Sequence, residues 1–249
     1  MFVWRPEMIR FMRDASEYTD YHAQLASQIS AYLPENAQLC DAGCGLGYLS
    51  LALCRMARSV TAVDVSAEAI AVLQTNIQRD GIRNIQAVPA DMHTYLPEAP
   101  FNAMVFSFFG DTAEALSIAK RCCDGVVILI KRNYHHHRYS VGNYLLERFS
   151  FAQSCDELTS AGIPFQTAEF ALENGQPFHS LQDAVTFFRI YSRDAEPEEI
   201  TASWVRGKLQ DDPSGEFAYY LPSVKQIGLI ALHTQDIPTT LLQSISHSL

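Results

Sequence analysis

Apolar residues in the first half of the chain fall into two alternating patterns: short unbroken runs, and longer stretches with apolar positions three or four apart. The runs have the length of buried strands, and the spaced stretches have the period of amphipathic helices. Gln38-Leu39-Cys40-Asp41, Val60–Val65, Ile85–Val88, Ala103–Phe108 and Val126–Ile130 are the runs. Between them, Tyr48–Met56 carries Leu49, Ala52, Leu53 and Met56 at helical spacing, and Ala67–Gln78 sets Ile70, Leu73 and Ile77 on one face. Thr112–Arg121 reads as a further helix. Strands apolar on both faces, alternating with helices, predict a parallel sheet covered by helices and joined by right-handed crossovers.

The flanks are less regular. The first 35 residues have helical periodicity, with Ile9, Met12, Tyr21, Leu25, Ile29 and Tyr32 among the apolar positions. Beyond the fifth run, Asn143–Ala161 is expected to be a helix and Pro164–Ala171 a sixth strand. Ser180 is a good N-cap for a helix in the insert that follows, and Asp194–Glu199 opens another, with Pro197 in its first turn. Lys225–His233 is expected to be a last strand, with Phe217–Leu221 as its hairpin partner.

Composition narrows the class. The 249 residues are 48% hydrophobic and 18% charged, which suits a globular chain and is too apolar for disorder. A net charge of -10 argues against coating nucleic acid or an anionic membrane through bulk charge. The six cysteines form no C-x-x-C pair and are expected to be buried thiols in a reducing compartment. The start, Met1-Phe2-Val3-Trp4-Arg5-Pro6-Glu7, lacks the pattern of a signal peptide. No apolar stretch approaches the ~20 residues of a membrane helix. The expectation is a soluble, cytoplasmic protein.

The sharpest chemical signal is Asp41-Ala42-Gly43-Cys44-Gly45-Leu46-Gly47-Tyr48, at the junction of the first strand and first helix. Glycines there permit a tight turn and close approach of a ligand, and in an open parallel sheet the ligand site lies beyond the carboxyl ends of the strands. The dinucleotide fingerprint needs Gly or Ala where Tyr48 stands. A carboxylate at Asp41 suits an ammonium group and repels a pyrophosphate.

This segment resembles the first motif of class I S-adenosylmethionine-dependent methyltransferases, and the next features follow in that family's order. The resemblance implies a Rossmann-like, seven-stranded, mostly parallel α/β sheet with helices on both faces. Asp41, Gly43, Cys44, Gly45 and Gly47 would line the cofactor, and Asp64, next to Val65 at the end of the second strand, would hold the ribose hydroxyls. Asp91 would receive the adenine amino group, with Met92 near the ring, and Ser107 at the end of the fourth strand would touch cofactor and substrate. Tyr21 in the N-terminal helical segment is a further candidate contact. The cofactor implied is S-adenosyl-L-methionine, leaving S-adenosyl-L-homocysteine as product. As one domain over 1–249, the chain divides into an N-terminal helical cap (1–36), a cofactor-binding core (37–176), a substrate-lid insert (177–222) and a final strand and tail (223–249).

The acceptor must be read outside that core. Ser107-Phe108-Phe109-Gly110 lacks the (N/D)-P-P-(Y/F) tetrapeptide that related enzymes use on planar amide or adenine nitrogens. The insert is rich in aromatic residues, including Phe187, Phe188, Tyr191, Trp204, Tyr219 and Tyr220, and a lid of this kind favours a small molecule enclosed away from water. A small-molecule methyl acceptor is therefore expected, with no nucleic-acid or membrane partner. A protein or RNA methyltransferase and a non-catalytic binder of the cofactor are the alternatives. His135, His136 and His137 follow the fifth strand and admit three readings: a metal site, a general base at the cofactor mouth, or a solvated loop. Neighbouring residues on a strand alternate faces, so no metal site is expected.

Overall fold

The computed structural model describes residues 3–142 and 144–238. Helices α1 (Pro6–Tyr18) and α2 (Tyr21–Ser30) precede β1 (Gln38–Ala42), α3 (Tyr48–Leu53), β2 (Ser59–Asp64), α4 (Ala67–Arg79) and β3 (Ile85–Pro89). Then come β4 (Phe101–Ser107), α5 (Thr112–Cys122), β5 (Cys123–Arg132), α6 (Phe151–Ser160) and β6 (Gln166–Glu173). The insert holds β7 (Gln176–Phe178), α7 (Leu181–Tyr191), α8 (Ala202–Arg206), β8 (Gln210–Asp211) and β9 (Tyr219–Leu221), and β10 (Val224–His233) follows.

The main sheet has seven strands in the order β3-β2-β1-β4-β5-β10-β6. The pairs among β1 to β5 are parallel, and β10 is antiparallel to both neighbours. This is the Rossmann-like α/β sheet that the resemblance implies. Residue parity decides which face each side chain serves. On β5, Val127 and Leu129 enter a core with Ala115, Leu116 and Ala119 of α5 and Leu158 of α6. Val126, Ile128 and Ile130 enter the opposite core, with Leu25 and Ile29 of α2 and Leu49 and Leu53 of α3. With both faces covered, the positions from Val126 to Ile130 are all buried and apolar, which explains the unbroken run in the sequence.

Several boundaries differ from the expectations above. Phe217–Leu221 is not the hairpin partner of the last strand: Tyr219–Leu221 pairs with β7 and β8 in a separate three-stranded sheet. Both edges of β10 are already filled, by β5 and β6, so no edge remains for β9. The helix expected over 143–161 starts at Phe151, where Ser150 accepts from the Gln153 amide as N-cap; Asn143 lies outside the described residues. The expected helix after Asp194 is one 3-10 turn, Pro197–Glu199, followed by α8. The sixth strand is shifted to Gln166–Glu173. The six cysteines are free thiols, four of them buried and Cys44 and Cys155 only half-buried.

A third core joins the N-terminal helix to the insert. Phe11 of α1 is buried among Phe178, Phe187 and Phe188, its ring edge-on to Phe178 at 6.0 Å and to Phe187 at 5.3 Å. Arg10 donates to both carboxylate oxygens of Asp183 at 3.2 and 2.7 Å, and Tyr18 donates to Asp212. Packing outweighs the ion pair, because Arg10 and Asp183 keep 30% and 24% exposure while Phe11 keeps 1%. Phe11→Ala is therefore expected to cost about 3–5 kcal/mol in urea unfolding, and Arg10→Ala about 1 kcal/mol or less. Equal losses would show that charge, not packing, holds α1 to the insert.

Candidate functional site

The glycine loop leaves β1 with Gly43, Gly45 and Gly47 at positive φ. Two of them also have no room for a side chain: a Cβ on Gly43 would stand 2.3 Å from the Phe109 ring, and one on Gly47 would stand 2.5 Å from Leu73. The loop amides are largely used within the protein. Those of Gly43 and Cys44 donate to the Val63 carbonyl at 2.8 and 3.0 Å, and that of Gly47 donates to the Cys44 carbonyl at 3.0 Å. The Gly45 amide donates to Asp64 Oδ2 at 2.8 Å. A pyrophosphate cradle needs free amides. Here the rim offers acceptors instead.

Asp41 has the same parity on β1 as Leu39, so its side chain faces α3. There Ser50 Oγ donates to it at 2.5 Å. Burial raises the Asp41 carboxyl to about 6; the Ser50 bond opposes that rise and the nearby Asp64 charge adds to it. Burial likewise pushes the Cys44 thiol up, with the Asp41 and Asp64 carboxylates beside it. Asp64 ends β2, where its Oδ1 also accepts from the Ser66 amide at 2.9 Å. Ser66 does cap α4, accepting from Ala69, and Asp64 also braces the glycine loop, each of its oxygens accepting one amide and keeping a lone pair for a further donor.

A cavity of about 360 Å³ opens above this loop. Asp41, Gly43, Cys44, Gly45 and Gly47 line it, together with Ser107, Tyr21 and His137. Asp64, Val65, Asp91 and Met92 are not on its wall. Val65 and Asp91 are exposed. Asp91 accepts from the His93 amide at 2.9 Å, and the Met92 side chain is buried in the core with Cys40 and Phe106. Of the histidine run, His135 and His136 are exposed and off the cavity, leaving His137 as the member on its wall. His137 Nδ1 pairs with Ser140 Oγ at 2.8 Å, and burial lowers its pKa.

The tip of β4 is held in an uncommon shape. Phe108 has φ of 54°, a left-handed conformation that costs a non-glycine residue about 1–3 kcal/mol. The buried Lys131 holds the following turn by donating to the carbonyls of Phe109 and Gly110 at 3.3 and 2.9 Å. Phe108 thereby joins the cavity wall, while Asp111 caps α5 by accepting from Glu114 at 2.7 Å.

Sequence reasoning missed part of the lining. His22 and Lys225 face the cavity, as do Tyr134, Arg138, Tyr139 and Tyr191. Burial, helped by the Lys225 charge, lowers His22 to about 3. Burial also raises the Tyr21 phenol. Tyr21 Oη and His22 Nδ1 are buried without a hydrogen-bond partner among the described residues. Unpaired buried polar atoms on a cavity wall are what a polar ligand satisfies. The signal for these two was available, since α2 places adjacent residues over the sheet's carboxyl edge, but only for Tyr21 did the aromatic character draw attention.

The sheet order and the glycine loop at its carboxyl edge define a Rossmann-like fold. Residues 39–125 match the family model described as Methyltransferase domain. The fold is similar to that of the YcgJ protein from Bacillus subtilis, with a TM-score of 0.55 at 13% identity over 85% of this chain and 97% of that one. It is equally similar to a putative methyltransferase from Bacillus halodurans, with a TM-score of 0.55 at 14% identity over 85% and 98% of the two chains. The sequence matches no curated protein significantly. Among the described residues, no helix is long and apolar enough to cross a membrane.

The raised Asp41 carboxyl has a pH signature. Between about pH 4 and pH 6 the folded protein keeps a proton that the unfolded chain has released, so Asp41 makes stability fall as pH rises through that window. The drop amounts to about 3 kcal/mol at most. Urea midpoints of the ligand-free protein and of Asp41→Asn should diverge accordingly, with the variant gaining relative stability toward pH 6. Parallel pH profiles would show that Asp41 titrates normally.

Proposed function

We propose that the protein transfers a methyl group from S-adenosyl-L-methionine to a small molecule enclosed between the glycine loop and the insert. The observation that carries this reading is the chemistry of the glycine loop: the amides of Gly43, Cys44, Gly45 and Gly47 are already bonded within the protein, and the Asp41 carboxylate lies on the cavity wall. A sulfonium, an ammonium and ribose hydroxyls all seek such acceptors, whereas a pyrophosphate does not. Bound there, S-adenosyl-L-methionine supplies a methyl group on a positively charged sulfur, open to in-line displacement by the acceptor.

The chain's own residues bind, orient and exclude water. Asp64 would take the ribose hydroxyls and Asp91 the adenine amino group, with Val65 and the Met92 backbone alongside. Gly43, Cys44, Gly45 and Gly47 let the ligand lie against the main chain, and Asp41 sets a negative charge behind it. Ser107 and Tyr21 border the methionyl end, where the Tyr21 hydroxyl and His22 Nδ1 supply unpaired polar atoms. Proximity and alignment account for most of such a reaction's acceleration, so no acid–base triad is needed. The insert and α1, locked together through Phe11, act as the lid. Of the histidine run, His137 borders the cavity and would be the member to meet an acceptor. Free thiols support the reducing cytoplasm as the place of action.

Calorimetry with S-adenosyl-L-homocysteine tests the reading. The protein is expected to bind it, and Asp64→Ala to weaken binding by roughly 1–3 kcal/mol while leaving the circular dichroism spectrum unchanged. A folded protein that gives no binding heat would overturn the proposal.

A further inference from the structure

The far end of the cavity is electropositive in a chain whose net charge is -10. Lys225 at the start of β10 and Arg138 in the loop after β5 both line it, and Asp41, bonded to Ser50, is the one acidic residue on the same wall. Among the described residues neither cation has a carboxylate within salt-bridge distance. Arg138 is fixed entirely by neutral acceptors: Nε donates to Ser223 Oγ at 2.9 Å, and Nη2 donates to the Asn174 carbonyl at 2.7 Å and to Tyr139 Oη at 3.1 Å. Lys225 Nζ lies against ring faces, 3.6 Å from the centroid of Phe108 and 5.3 Å from that of Tyr21.

Two like charges turned toward one half-enclosed space are unfavourable without a counter-ion. Burial and the neighbouring Arg138 pull Lys225 down to about 7, the direction expected of a cation without an anionic partner. The sheet order sets the strand that carries Lys225 apart from the strand that carries the glycine loop, while the ammonium itself reaches back to Phe108 and Tyr21. β10 lies three strand positions from β1, which at the usual spacing is about 14 Å. Phe108, at the tip of β4, lines the same wall, with the Lys225 ammonium against its ring.

We infer that the methyl acceptor is a small organic acid with a flat apolar body, its carboxylate or phosphate oxygens seated on Lys225 and Arg138 beside the Phe108 and Tyr21 rings. This rests on the methyl-transfer reading and names the substrate class of the same site. The ring faces suit a planar group, and the paired cations supply charge-assisted hydrogen bonds to an oxyanion.

The test is calorimetry on protein saturated with S-adenosyl-L-homocysteine, titrated with benzoate, phenyl phosphate and the neutral isostere benzamide. At least one of the two anions is expected to bind at millimolar concentration or below, and benzamide tenfold or more weakly. Whichever anion binds better identifies the oxyanion. Lys225→Met is expected to weaken that anion tenfold or more, Lys225→Arg to retain most of its affinity, and both variants to keep their S-adenosyl-L-homocysteine affinity within twofold. The retained affinity also shows that they fold. Benzamide binding as well as both anions, or neither anion binding, would overturn the inference. So would Lys225→Met weakening S-adenosyl-L-homocysteine but not 5′-methylthioadenosine, because the lysine would then serve the cofactor's own carboxylate. Failure of the protein to bind S-adenosyl-L-homocysteine at all is a separate result and counts against the methyl-transfer reading itself.

Discussion

The site depends on the crevice that a parallel sheet opens where its strand order reverses. Here the reversal falls between β1 and β4, so the chain leaves β1 toward β2 on one side and later returns to β4 on the other. Loops that diverge at such a point cannot close over each other. Everything chemical in the molecule lies along that gap: the glycine loop, the strained tip of β4 and the cations beyond it. Asp41 sits at its base because the alternation of side chains along β1 turns residue 41 toward α3, where Ser50 meets it.

A second constraint is the supply of hydrogen-bond donors at the gap. A glycine-rich turn ahead of a helix is ordinarily a place for anions. In this loop the carbonyl of Val63 and the carboxylate of Asp64 take up three of the amides, which changes the charge preference of the turn without altering its shape. The cationic end of the cavity complements it, so the wall is polarised, with acceptors over β1 and donors over β10.

Much of this was legible in the sequence, for physical reasons. Runs such as Val126–Ile130 are unbroken because both faces of the sheet are covered, and Gly43 and Gly47 are required by positive φ and by the lack of space for a side chain. What escaped depends on long-range pairing. The partner of Phe217–Leu221 could not be inferred from its own residues, because the choice was made by β6 occupying the last edge of β10. Lys225 looks like a solvated strand end until the sheet places Tyr21 and Phe108 against it. Nothing local to Asp64 announces that a loop nineteen residues earlier leans on it. The helix expected from Asn143 begins about two turns later, where Ser150 as N-cap sets its start.

The join between Phe11 and the insert also bears on how the molecule is made. During synthesis α1 is made long before the buried partners of Phe11, which lie in residues 178–221, and the Phe11 carbonyl is paired with Gln176, 165 residues downstream. The sheet from β1 to β5 can settle earlier, since its pairings are nearer in sequence. Translation therefore completes the binding floor well before its roof, and the Phe11 face of α1 stays uncovered until the insert has been made.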